Sequence, residues 1–154
     1  MNPYELLNLI DTIRILPLAA IFFYAAIQDY KTGEVTNKIW LYTLIGAPIA
    51  LAEYTLLAPN MLPLVAASAA ACTIIALALF RMRNGWGGAD AKALITLALC
   101  YPLGPAYLAW LPLYPMLIFG VSSAIAVIAM ILRKKQQIRF LPYVFIGLTV
   151  MAVI

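Results

Sequence analysis

The sequence contains no histidine. A Ser-His-Asp triad, a Cys-His dyad and a His-Glu-x-x-His zinc site are therefore all excluded. Cysteine is scarce as well. Cys72 and Cys100 stand alone inside apolar runs and form no C-x-x-C pair. Neither a zinc knuckle nor a redox motif can be built from them, and they read as small packing residues. The first 12 residues carry Glu5 and Asp11 but no Lys or Arg. The basic n-region of a secretory signal is thus missing. Charge is sparse throughout: 10% of residues are charged, against about 25% in soluble domains. No segment alternates in the manner of a barrel strand, which leaves α-helix as the spanning structure.

Apolar side chains are abundant, at 66% of 154 residues with a mean hydropathy of +0.98. Soluble domains run at roughly 45–50%. The excess fits a chain whose surroundings are lipid. A spanning helix takes roughly 20 residues, so about six exhaust the chain. The reading is a single integral-membrane domain over residues 1–154, an all-α polytopic bundle. Apolar stretches run over Ile10–Gln28, Ile39–Ala58, Leu62–Phe80, Ala89–Tyr101, Leu111–Leu132 and Phe140–Ile154. The last is short for a crossing. Pro17, Pro48 and Pro115 fall inside these stretches, where neighbouring helices can satisfy freed carbonyls.

The net charge of +4 points to loop orientation and not to nucleic acid. Lys31, Lys38, Arg81, Arg83, Lys92, Arg133, Lys134, Lys135 and Arg139 fall on one side of a six-span parse, and Arg14 alone on the other. Basic loops face the cytoplasm, which places both termini outside. Tyr and Trp at segment ends (Trp40, Tyr42, Trp86, Tyr101, Tyr107, Trp110 and Tyr114) suit an interfacial belt.

Six acids remain to carry chemistry: Glu5, Asp11, Asp29, Glu34, Glu53 and Asp90. Asp11 and Arg14 have the i,i+3 spacing of a helix-face pair. Glu53, inside the second stretch, either snorkels or lines the bundle and takes no assigned role. Asp29 closes the first stretch and Asp90 opens the fourth, so the parse puts both at the cytoplasmic boundary. Singly, each is explained as a turn former or an N-cap. Together they make a carboxylate pair, with one member behind Gly85, Gly87 and Gly88. Paired carboxyls share a proton; one activates water while the other protonates a carbonyl oxygen. Burial and the helix N-terminus act on Asp90 in opposite senses, and sequence does not decide between them. Lys92 is either an electrostatic helper or a snorkelling cation. Gly87 and Gly88 permit positive φ and close approach of an extended substrate; the plain alternative is a flexible loop.

Two segments carry a family resemblance. Asp29-Tyr30-Lys31-Thr32-Gly33-Glu34-Val35-Thr36-Asn37 resembles the D-x-x-x-R-x-I/V-P-N pattern of aspartic prepilin peptidases, including archaeal preflagellin peptidases. Asp29, Val35 and Asn37 match, while Gly33 and Thr36 replace Arg and Pro. Gly87-Gly88-Ala89-Asp90-Ala91-Lys92 resembles the family's G-x-G-D-x-K motif, with Ala89 in place of the second Gly. Arg139-Phe140-Leu141-Pro142-Tyr143 resembles its P-F-x-P-F segment. The motifs keep their order along nearly the whole chain. The resemblance implies a membrane-embedded aspartic endopeptidase that cleaves class III signal peptides at the cytoplasmic face. Asp29 and Asp90 would be catalytic, Gly87 and Gly88 would shape the loop, and Lys92 would assist. The implied partners are the lipid bilayer and a prepilin-like or preflagellin precursor with a basic n-region and an apolar segment. No metal or organic cofactor is implied. The cysteine-rich insert of methylating members is missing from the sequence, so cleavage alone is expected. A second reading is a small proton-coupled transporter or channel subunit using the same acids. A third is an inactive membrane scaffold. Transport sites lie near the bilayer midplane, which disfavours the second.

Overall fold

The computed structural model describes residues 3–81, 87–103, 114–133 and 139–153. Its six helices are α1 (Pro3–Thr32), α2 (Thr43–Leu57), α3 (Leu62–Arg81), α4 (Gly88–Cys100), α5 (Tyr114–Arg133) and α6 (Leu141–Val153). Short 3₁₀ turns at Asn37–Tyr42 and Pro59–Met61 lead into α2 and α3. No strand occurs among the described residues. The expected all-α membrane bundle is what the chain forms.

Three helices are long and apolar enough to cross a membrane: Glu5–Thr32, Asn37–Leu57 and Pro59–Arg81, each including any leading turn. Tyr114–Ala129 and Leu141–Val150 are shorter apolar helices. Their outward faces carry large apolar side chains, among them Leu16, Tyr24, Leu44, Leu56, Ile74, Ile131 and Leu132. In water such a surface would be unstable; in lipid it is the solvated face. At the other extreme is α4. Its 13 residues extend about 20 Å, short of the ~30 Å hydrocarbon core. None of its large apolar side chains is exposed, and Ala93, Leu94, Leu97, Ala98 and Cys100 are fully buried. It touches α2, α3, α5 and α6, so it is the core element around which the others stand.

Proline sets several of the boundaries. Pro63 and Pro142 are each the second residue of a helix. There the missing N–H has no partner to lose and the fixed φ suits helix entry. Pro115 falls in the first described turn of α5, and residues 104–113 before it lie outside the described residues. Pro17 and Pro48 are interior.

Packing is closest where side chains are smallest. A Cβ on Gly147 of α6 would collide with the Ser122 hydroxyl of α5, and one on Gly46 of α2 would lie 2.7 Å from Cys100 Sγ of α4. Cys72 and Cys100 are buried free thiols, as expected of packing residues. The aromatic belt needs correction. Trp40, Tyr101 and Tyr114 are buried. Trp40 meets Phe22 edge-on at 6.0 Å, and Tyr101 meets Tyr114 at 5.7 Å. They fill the interior because segment ends here turn inward onto α4. Trp86, Tyr107 and Trp110, like Arg83, Lys134 and Lys135, lie outside the described residues.

Near the start of α1, Arg14 bonds to Asp11 and, at 2.6 Å, to Glu53 of α2. All three side chains are at most 4% exposed. The expected i,i+3 pair is present, and Glu53 completes it from another helix. Two carboxyl groups thus share one guanidinium, and burying such groups in an apolar bundle is tolerable only because each has an oppositely charged partner.

Candidate active site

At the opposite end of α1 the helix stops at Gly33, whose φ of +77° is the left-handed value that favours glycine. The Gly33 N–H donates to the Asp29 carbonyl at 2.9 Å. The following segment is folded back by polar bonds. Thr32 Oγ1 accepts from the Glu34 N–H, and Gln28 Oε1 accepts from the Thr36 N–H at 3.2 Å. Thr36 itself has φ −64° and ψ 139°, the backbone a proline would adopt. The departure from the family's Pro therefore leaves the chain path unchanged.

This end of α1 opens on a cavity of about 490 Å³. Asp29, Gly33, Glu34 and Val35 line it from the first motif, Gly87, Gly88, Ala89, Asp90 and Lys92 from the second, and Arg139 and Phe140 from the third. Three segments far apart in sequence thus meet at one end of the bundle. Asp29 and Asp90 face the same space and interact electrostatically. The Asp29 carboxyl lies near the Leu141 main chain at the start of α6 and near the Arg139 guanidinium. Asp90 is the third residue of α4, and its Oδ2 accepts from the Gly87 N–H at 3.0 Å. This is the back-reaching half of a capping box. It fixes one carboxylate oxygen of Asp90 at a positive helix end.

Gly87 and Gly88 line the cavity as the N-cap and first residue of α4. Their expected positive φ is not adopted: Gly87 has φ −80°, and Gly33 is the positive-φ glycine of the described residues. A Cβ at Gly87 or Gly88 would make ordinary contacts, at 3.4 Å and 3.6 Å. Gly85 lies outside the described residues. Lys92 donates from Nζ to Asn37 Oδ1 at 2.5 Å, tying α4 to the turn after α1. Val35 packs against the main core. No group of three or more metal-ligating side chains occurs among the described residues.

Sequence reading gave Arg139 no role, yet its Nη1 donates to the carbonyls of Asp29, at 2.6 Å, and of Tyr30. One signal was legible. A cation just before a helix N-terminus is disfavoured by the helix dipole, so it must have acceptors elsewhere.

Two carboxyl groups on one polar cavity, that of Asp90 oriented by a backbone N–H, are suited to paired acid–base chemistry. No curated protein and no solved structure matches the chain. The family model described as the type IV leader peptidase family matches residues 16–154, which includes all three cavity-lining segments. With nearly its whole length covered, the chain belongs to the type IV leader peptidase family and is a membrane protein of the protease type.

Proposed function

We propose that this peptidase is an aspartic endopeptidase whose catalytic pair is Asp29 and Asp90. The observation that carries the reading is their convergence, from the end of α1 and the start of α4, on one cavity. One carboxylate takes a proton from water as that water attacks the scissile carbonyl. The other, protonated, donates to the carbonyl oxygen. Collapse of the tetrahedral intermediate then breaks the C–N bond as the amine receives a proton.

The substrate is a prepilin-like or preflagellin precursor with a basic n-region followed by an apolar segment. Asp29, Glu34 and Asp90 put acidic groups on the cavity. Two cations, Lys92 and Arg139, line it as well. Acidic groups thus outnumber basic ones at the cavity, three to two, although the net charge of the chain is positive. Lys92 acts by holding the second motif to the first, and Gly87 and Gly88 give the cavity a low wall. The chain is multi-pass, the cavity faces the cytoplasm and both termini lie outside. In support, Lys31, Lys38, Arg81, Lys92 and Arg139 belong to the helix ends nearest the cavity and to their loops, in keeping with the charge bias of cytoplasmic loops. Methyl transfer is not part of the activity.

Purified protein in detergent or nanodiscs, given precursor peptides, tests this directly. Asp29→Asn and Asp90→Asn are each expected to reduce cleavage by about 10²–10⁴-fold while leaving membrane insertion intact. Product mass should place the cut at the junction of the basic and apolar regions. Undiminished cleavage in either variant removes that residue from the mechanism.

A further inference from the structure

We infer that Arg139 is the positioning residue for Asp29: it clasps the C-terminal end of α1 to the N-terminal end of α6 and so fixes where that carboxyl stands on the cavity. The inference rests on the proposed role of Asp29.

Three observations converge on it. The guanidinium reaches across 110 residues of sequence to the Asp29 carbonyl at 2.6 Å and also bonds the Tyr30 carbonyl. Both carbonyls lie at the C-terminal end of α1, where the helix dipole is negative, and the Asp29 carbonyl is shared between the guanidinium and the Gly33 N–H, the latter at 2.9 Å. Second, the clasp passes beside Gly33, where Nη2 would lie 3.4 Å from an added Cβ. That contact is an ordinary one; glycine is favoured there by its φ of +77°, which turns the chain back beneath the guanidinium. Third, Arg139 and Phe140 line the same cavity as Asp29 and run directly into the first turn of α6. The segment that holds the Asp29 main chain is therefore also part of the cavity wall that the carboxyl faces.

The Arg139 bonds set the position of the turn that bears the carboxyl. Losing the guanidinium frees the turn while both aspartates remain, and takes from the cavity wall the side chain of residue 139 alone. The consequence is a misplaced catalytic group and not a lost one. Such misplacement lowers the rate of the chemical step more than it weakens substrate binding. Both bonds leave the one nitrogen Nη1; a lysine at 139 keeps the charge and can donate to both carbonyls, but its more strongly hydrated ammonium on a flexible stem holds them less firmly.

The test measures steady-state cleavage by wild type, Arg139→Ala and Arg139→Lys in parallel, with melting temperature recorded for each. Arg139→Ala is expected to lower kcat by about 10- to 100-fold with KM changed far less, and millimolar guanidinium ion is expected to restore part of the rate where methylammonium does not. Arg139→Lys is expected to fall between the two. Undiminished kcat in Arg139→Ala overturns the inference, as does a loss that tracks a lowered melting temperature and is not rescued by guanidinium. If Arg139→Ala fails to fold, Arg139→Lys decides: wild-type kcat there overturns the inference, and a reduced kcat at unchanged KM upholds it. Failure of the wild type to cleave any precursor sinks the protease mechanism and this inference with it, whereas a cleaving wild type and an equally active Arg139→Ala sink this inference alone.

Discussion

Thr36 shows how a single position can depart from a family pattern without moving the backbone. Its φ of −64° is already that of proline, so Thr36→Pro demands no rearrangement. The change removes the N–H that donates to Gln28 Oε1 at 3.2 Å and the hydroxyl bond to the same oxygen. Both bonds are exposed, where water replaces a lost partner cheaply. A proline at a compatible φ also narrows the unfolded ensemble by about 0.4–1 kcal/mol. Thr36→Pro is therefore expected to change stability by less than about 1 kcal/mol, measured by thermal or chemical unfolding in detergent. A larger loss would mean that Gln28 is the main tie holding this turn. Asp29, Asp90 and Lys92 were legible at this scale because each sits in a short motif. The partner of Lys92 was not. Asn37 is 55 positions away, and nothing in either segment announces the other.

Among the helices, boundaries were read well wherever an apolar run ends in charge or proline. Sequence placed the third at Leu62–Phe80 and the fourth at Ala89–Tyr101; they run Leu62–Arg81 and Gly88–Cys100. The first helix was underestimated, starting at Pro3 and not near Ile10. Asp11 and Arg14 lie inside the helix and are ion-paired, with Glu53 as a second carboxyl on the same guanidinium. Composition stops at charge, whereas a helix stops only when its charge has no partner. The burial of α4 was likewise illegible, since its apolar residues resemble those of a lipid-facing span. Between α5 and α6, contact is set by the absence of a side chain at Gly147. An alanine there would strike the Ser122 hydroxyl and approach the Ile118 carbonyl to 2.9 Å. Ser122 cannot easily yield, because it donates to that same carbonyl at 2.6 Å. Gly147→Ala is expected to destabilise the protein by about 1–3 kcal/mol. The paired Gly147→Ala, Ser122→Ala variant should recover part of the loss, and failure to recover any would place the strain elsewhere.

Among the described residues, charged side chains gather at two regions of α1 and the elements they meet. One is the cavity with Asp29; the other is the Asp11–Arg14–Glu53 cluster. In that cluster Asp11 Oδ2, Arg14 Nε and Glu53 Oε1 are buried without hydrogen-bond partners, so its ionic pairing carries nearly all the compensation for burial. Arg14→Met leaves two carboxyl groups in an apolar interior with no cation. A cost of about 3–5 kcal/mol is expected, read as reduced unfolding free energy or loss of folded protein from the membrane. Replacing all three residues together by apolar ones of similar size should cost much less. If the triple variant is as unstable as Arg14→Met, the cluster does more than neutralise itself.

Asp11 and Asp29 stand 18 residues apart on one helix, about 27 Å along its axis, which is close to the ~30 Å of a bilayer's hydrocarbon core. A rod moored near both ends to its neighbours cannot slide up or down to suit whatever lipid surrounds it. The immersion depth of the first acidic group is thus dictated by the protein's own framework. A precursor threaded alongside would meet it at a fixed height, however thick the membrane happens to be.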